Sequence, residues 1–187
     1  MRITNRKELT DCINGGGEVK YLLFWGHRKP KTGVTKSCFS QWYDSPFTES
    51  GVAYPTAEHY MMAAKARLFM DKDAERKAIA ASNPGEAKSI GRAVQGFDEH
   101  VWRTHRFDAV VRANLLKFQQ HADLHDFLIA TGKRVLVEAS PVDRIWGIGL
   151  AADDPAAINP NLWKGENLLG FALMEVRSQL MGHSSDA

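Results

Sequence analysis

A chain of 187 residues with 24 Lys and Arg against 22 Asp and Glu is sized for one domain with a real core, and its formal net charge of +2 supplies no long-range field for capturing nucleic acid or an anionic membrane. No apolar run approaches the ~20 residues needed to span a bilayer, and the start "MRITNRKELTDC" lacks a leader's apolar stretch, so a cytoplasmic location is expected. Cys12 and Cys38 stand far apart with no CxxC, which argues against both a disulfide framework and a structural zinc.

In chain order, a polar helical turn and the flexible "NGGGE" make residues 1–19 a partly ordered N-terminal extension. "VKYLLFWGH" predicts a first strand, and "RKPKTGVTKS" a loop rich in Pro, Gly and Lys. In "CFSQWYDSPFTESGVAYPTAEHY" aromatic and polar residues alternate around Ser50-Gly51, which predicts a short hairpin. Thr56 is placed to cap a helix from Ala57 to Phe69, with Tyr60, Met61, Met62, Ala63, Ala64, Ala66 and Leu68 on all its sides. A helix apolar all round is expected to be buried. "DAERKAIAAS" predicts a second helix, and "NPGEAKSIGR" a third with Asn83 as cap, Pro84 in the first turn, Glu86 as reciprocal cap and Gly91 as stop.

The strongest helical pattern is "FDEHVWRTHRFDAVVRANLLKFQQH", with Phe107, Val110, Val111, Leu115 and Phe118 as its apolar stripe. "ADLHDFLIATG" predicts a helix ended by Gly132, "RVLVEAS" a buried strand, and "PVDRIWGIG" a turn into a short second strand. After the loop "LAADDPAAINPNLWKG" comes the helix "ENLLGFALMEVRSQLM", apolar through Leu169, Leu173, Val176 and Leu180, and residues 182–187 are expected to be a disordered tail. The fold class is α+β, a predominantly helical single domain over 20–181 with a small β-sheet built from strands near both ends of the chain.

Glu58 and Lys65 lie seven residues apart on one side of the buried helix. Such a pair on a helix is ordinarily structural. Here burial would instead raise the glutamate's pKa and lower the lysine's, the two shifts that suit a proton donor and a free amine. Asp143, in "VEASPVDRIWGIG", reads either as a turn residue or as a third charged group beside Glu138 and Trp146. "GIGLAA" formally fits a dinucleotide fingerprint but leads into a proline-containing loop, so no Rossmann unit is expected. The five tryptophans, with Arg28, Lys29, Lys31, Arg92 and Arg103, permit a nucleotide-like ligand without showing one. The histidines offer no metal spacing, there is no GxSxG, and Cys38 has no paired base nearby in sequence; no metal and no cofactor are expected.

Taken together, "FWGH", "CFSQWYDSPFTESGVAYPTAEHYMMAAKA", "NPGEAKSIGR", "LLKFQQHADLHDFLIATG", "LVEASPVDRIWGIG" and "GENLLGFALMEVR" resemble the NADAR family, in order from about Tyr21 to Leu180. The resemblance implies an α+β N-glycosidase acting on bonds to ribose 5-phosphate or ADP-ribose, with Glu58, Lys65 and Asp143 as catalytic residues. It puts Trp102 and Trp146 at the family's aromatic positions and Arg92 at a phosphate contact, and with Trp25, Gly26, Gly147 and Asn167 these are the expected substrate-binding residues. The chain reads "MAAK" where many members read "QAQK", and its basic loop 27–36 is longer than in one bacterial member. The expected substrate is ADP-ribosylated guanine, as nucleoside or within nucleic acid, with a phosphoribosylated pyrimidine of riboflavin biosynthesis as the alternative. A non-catalytic ADP-ribose-binding module is the reading from another class. No membrane association and no obligate protein partner are expected.

Overall fold

The computed structural model describes residues 3–183. Helix α1 (Arg6–Asn14) precedes strand β1 (Tyr21–Phe24), and the short strands β2 (Phe47–Glu49) and β3 (Val52–Tyr54) form an antiparallel hairpin. Ser50 and Gly51 both take positive φ, of 50° and 81°, the geometry that a two-residue hairpin turn demands. Then follow α2 (Ala57–Leu68), α3 (Lys72–Ala80), α4 (Pro84–Arg92), α5 (Glu99–Gln120), α6 (Ala122–Ile129), β4 (Val135–Glu138) and α7 (Leu168–His183). Strands β1 and β4, from distant parts of the chain, pair in parallel with Phe24 opposite Glu138. The fold is α+β and mostly helical, as expected. Of the tail expected over 182–187, the last four residues lie outside those described, while α7 runs to His183.

Helix α2 is the hub. Nine of its twelve residues are buried, including Glu58, His59 and Lys65, because α3, α4 and α5 pack around it. His59 is a structural tie: its ring nitrogens lie 2.8 Å from the Thr56 hydroxyl and 3.1 Å from the Ala81 carbonyl. Gly91 does not stop α4 as expected. It sits in the last turn, where a methyl group would run into Met62, and it allows α4 to close on α2.

Two further expectations are corrected. In α5 the deepest face carries Trp102, Arg106, Val110, Ala113, Asn114 and Lys117, whereas Phe107, Val111 and Leu115 are only part-buried. The helix is wedged between α2 and α7, so its enclosed sector is wider than one apolar stripe and takes in polar residues that find partners there. Lys117 is fully buried and donates to the Cys38 and Ser40 carbonyls at 2.5 and 3.1 Å. The segment "PVDRIWGIG" forms no strand either. Asp143 Oδ1 accepts from the Ile145 and Trp146 amides at 2.8 and 2.7 Å, folding the chain into a turn instead of offering those amides to a sheet.

Leu169, Leu173, Val176 and Leu180 of α7 are buried as predicted. The helix begins flush against β4. A methyl group at Gly170 would collide with the Leu136 carbonyl oxygen and the Asn167 amide. Gly170→Ala should therefore cost about 3 kcal/mol in urea unfolding, the upper range for overpacking against backbone. Gly182→Ala in the same helix, with open space around it, should be neutral or slightly stabilising.

Candidate active site

Because β1 and β4 are parallel, the segments leaving both strands emerge at one end of the sheet, beside the N-terminal half of α2. There they enclose a cavity of about 960 Å³. Its walls come from the residues after β1, the turn at Ser40–Trp42, α2, the last turns of α4, Trp102 of α5, and the stretch from Glu138 to Trp146. Four of the five tryptophans, Trp25, Trp42, Trp102 and Trp146, face it. Trp163 does not; its indole donates to the Ala157 carbonyl in a separate cluster.

Glu58 and Lys65 open onto this same cavity, as their helical spacing predicts. Glu58 is 3% exposed and its Oε1 has no hydrogen-bond partner. Burial pushes its pKa up to about 7, against the pull of the Lys88 charge, a hydrogen bond from Trp42 and the charge on Arg92, while Asp143 adds to the rise. Its backbone amide donates to the Gln41 carbonyl at 3.0 Å, which locks the start of α2 to the cavity wall. Lys65 is enclosed along its stem, and its Nζ donates to the Gly91 carbonyl at 2.7 Å while lying 3.9 Å from the centre of the Phe97 ring. Desolvation holds its pKa below the ordinary lysine value, partly opposed by Glu99. The helix thus carries an acid shifted up and an amine shifted down.

Asp143, Trp25, Gly26, Arg92, Trp102 and Trp146 also line the cavity. Gly147 and Asn167 stand behind its wall. A methyl group at Gly147 would press on the Glu138 and Asp143 carbonyls, and Asn167, fully buried at φ 56°, binds the Glu138 amide and the Leu136 carbonyl at 2.9 Å each. Both support β4 and the turn that follows it. Cys38 is excluded as a nucleophile, since burial pushes its thiol up to about 12.

Sequence reasoning left several wall residues unassigned. Lys88 on α4 approaches Glu58 closely enough to be the largest influence opposing its burial, and its amine lies 5.9 Å from the centre of the Trp42 ring. Glu138 ends β4 facing the cavity, with its Oε2 buried and unpartnered. Burial and the charges of Asp143 and Glu58 raise it to about 8. The signal for Glu138 was present in the pleat of "VLVE". Val135 and Val137 point into one cluster and Leu136 into the other, so Glu138 follows Leu136 toward α2. Among the described residues, no three His, Cys, Asp or Glu side chains converge to hold a metal ion, and no helix is long and apolar enough to cross a membrane.

Comparison with known families matches residues 23–181 to the NADAR domain. The chain belongs to the NADAR family. It is 43% identical over 165 residues to N-glycosidase R617 of Acanthamoeba polyphaga mimivirus, covering 86% of this chain and 96% of that one. It is 33% identical to N-glycosidase YbiA of Escherichia coli K12, over 77% of this chain and 79% of YbiA. A maize relative, the chloroplastic riboflavin biosynthesis protein PYRR, is 36% identical over 69% of this chain, a match spanning 20% of that longer protein. The NMR structure of E. coli YbiA superimposes with a TM-score of 0.71 at 28% identity, covering 90% of this chain and 89% of that one.

The Glu58 shift has a measurable consequence for this NADAR chain. The folded state keeps the Glu58 proton up to about pH 7, whereas the unfolded chain releases it near 4.5. A pKa raised on folding contributes stability that is complete below the unfolded value and lost as pH rises through the folded one. Glu58→Gln should therefore melt above the wild type at pH 8, by an equivalent of ~3 kcal/mol, with the gap closing toward pH 5. Thermal melts of both proteins across that range check it.

Proposed function

We propose that this NADAR-family N-glycosidase hydrolyses the bond between guanine and ADP-ribose, in a nucleoside or in nucleic acid, and releases ADP-ribose. One observation carries the reading. Glu58, with its Oε1 unpartnered, and Lys65, with its amine depressed, line one cavity walled by four tryptophans. Indole faces suit stacked heterocycles, and Arg92 and Lys88 on the α4 wall suit phosphate oxygens. The volume of about 960 Å³ lies at the upper end for small-molecule sites, which suits a dinucleotide-sized ligand.

An N-glycosidic bond breaks when the leaving nitrogen is protonated and the charge growing at the sugar carbon is met by a nucleophile or an anion. In the favoured route Glu58 carries the proton transfers. Lys65 attacks the sugar C1 after ring opening, and water resolves the resulting imine, while Asp143 steadies the cationic sugar. The desolvated amine supports this route. In the competing route Glu58 and Asp143 act on an oxocarbenium-like state and Lys65 only supplies charge. Borohydride added during turnover should trap a sugar adduct on Lys65. A lack of adduct, together with substantial activity in Lys65→Arg, favours the carboxylate route.

Hydrolysis of phosphoribosylated pyrimidines is the second reading, supported by the name of the maize relative. The basic loop favours nucleic acid, but only in part. Lys29 is paired with Asp44 at 3.0 Å and Lys36 donates to the Leu23 carbonyl at 2.8 Å, which leaves Arg28 and Lys31 exposed for phosphates. Rates on an ADP-ribosylated guanine oligonucleotide and on a phosphoribosylated pyrimidine should favour the former. Arg28→Ala with Lys31→Ala should weaken binding of the oligonucleotide alone. Glu58→Gln should bind it normally but hydrolyse it ~10²–10⁴-fold more slowly, whereas a pure binding module would show no turnover in either form.

A further inference from the structure

We propose that Glu138 is a catalytic acid of this site, giving its proton to the departing base nitrogen while Glu58 takes a proton from the attacking group. This division of labour rests on the N-glycosidase reading above and refines its proton transfers, giving the leaving-group proton to Glu138 and leaving Glu58 the proton of the attacking group.

Three observations converge on Glu138. Its backbone is fully committed, with the amide donating to Asn167 Oδ1 at 2.9 Å and the carbonyl accepting from the Ile148 amide at 3.0 Å. The pleat of β4 then aims the side chain to the same face as Leu136, where the cavity lies. Next, Glu138 Oε2 and Glu58 Oε1 are both sealed from bulk water and both lack a hydrogen-bond partner. A carboxyl kept for structure would be satisfied, because a buried polar atom left unpaired destabilises the fold. Both residues line one cavity, and a ligand bound there can supply the missing partners as the side chains turn toward it. Finally, Asp143 is not equivalent to them, since its Oδ1 already accepts two amides of its own turn. Asp143 shapes the loop that carries Trp146 and adds negative charge beside both glutamates.

The charged groups acting on Glu138 are Glu58 on α2, Asp143 on the loop and Lys88 on α4. Burial, Asp143 and Glu58 raise it to about 8 against the opposing pull of Lys88, so it holds a proton at neutral pH, whereas Glu58, at about 7, is ionised in part of the molecules. Two carboxyls in one site with unequal proton affinities are what separate acid and base roles require. As the C–N bond breaks, its electron pair goes to the base nitrogen, which takes the Glu138 proton. The hydroxyl of water ends on the sugar C1 and the other water proton on Glu58, which returns it to Glu138 and closes the cycle.

Steady-state kinetics of wild type, Glu138→Gln and Glu58→Gln on an ADP-ribosylated guanine oligonucleotide, from pH 5 to 9.5, test the assignment. Glu138→Gln should lose ~10²–10⁴-fold in kcat with KM within a few-fold, and should lack the alkaline fall that the wild type shows through about pH 8. A melting temperature at pH 6 near that of the wild type confirms folding. If the variant fails to fold, the wild-type profile decides, and activity undiminished up to pH 9.5 overturns the acid role. Glu138→Gln with kcat within about threefold of wild type, or with KM alone raised, also overturns it. Turnover by the wild type decides the function itself, so the ratio of variant to wild type speaks to Glu138 separately.

Discussion

Everything at this site follows from burying α2 on nearly its whole circumference. A helix with methionine, alanine and tyrosine on every side lowers the free energy of the chain only when it is enclosed, and α3, α4 and α5 enclose it. Two ionisable groups go in with it. Removing a charge from water without a partner is so costly that the group shifts its pKa instead. Glu58 therefore retains a proton near neutrality and Lys65 gives one up more readily, and the same apolar packing that stabilises the fold prepares both for proton transfer.

The facing wall is held by polar atoms that are themselves buried. Lys117, driven down to about 8 by complete burial, grips the Cys38 and Ser40 carbonyls. One turn earlier, Asn114 donates to the Gln41 side chain at 2.7 Å, and the Gln41 carbonyl receives the Glu58 amide. Helix α5 thereby positions the Ser40–Trp42 turn, and the turn positions the start of α2. On the other side Asn167 joins β4 to the first turn of α7 and the glycine at 170 lets them touch. The irregular stretch from Ala139 to Gly149 hangs from these supports, with Asp143 folding it so that Trp146 meets the cavity. Fixed scaffolding behind an irregular wall is the arrangement that gives a site precision without a rigid sheet.

The elements and the Glu58–Lys65 pair were legible in the residues because they depend on short-range pattern. Asn83-Pro84 and Thr56 mark helix starts through side-chain caps, the apolar runs at Tyr21–Phe24 and Val135–Glu138 mark strands, and a seven-residue spacing brings two side chains to one helical face. The quoted motifs likewise pointed to the NADAR family that the full-length comparison establishes. Pattern fails where tertiary contact overrides it. "PVDRIWGIG" alternates like a strand, yet the Asp143 carboxylate captures its amides first. The buried face of α5 is turned from its apolar stripe because Arg106, Asn114 and Lys117 can be enclosed when partners from distant segments meet them.

By itself the sequence determined which segments are helices and strands, that α2 must be buried, and that Glu58 and Lys65 share its face, since each of these follows from periodicity and local capping. Only the tertiary structure decided that β1 and β4 run parallel, that four tryptophans from four separate segments surround one cavity, and that Gly147 and Asn167 support its wall from behind. It alone brought Lys88 and Glu138 to the side of Glu58. The physical reason is range: a side chain's periodic position is set by its neighbours in sequence, whereas its burial, its charge partners and hence its acidity are set by residues that folding brings from elsewhere in the chain.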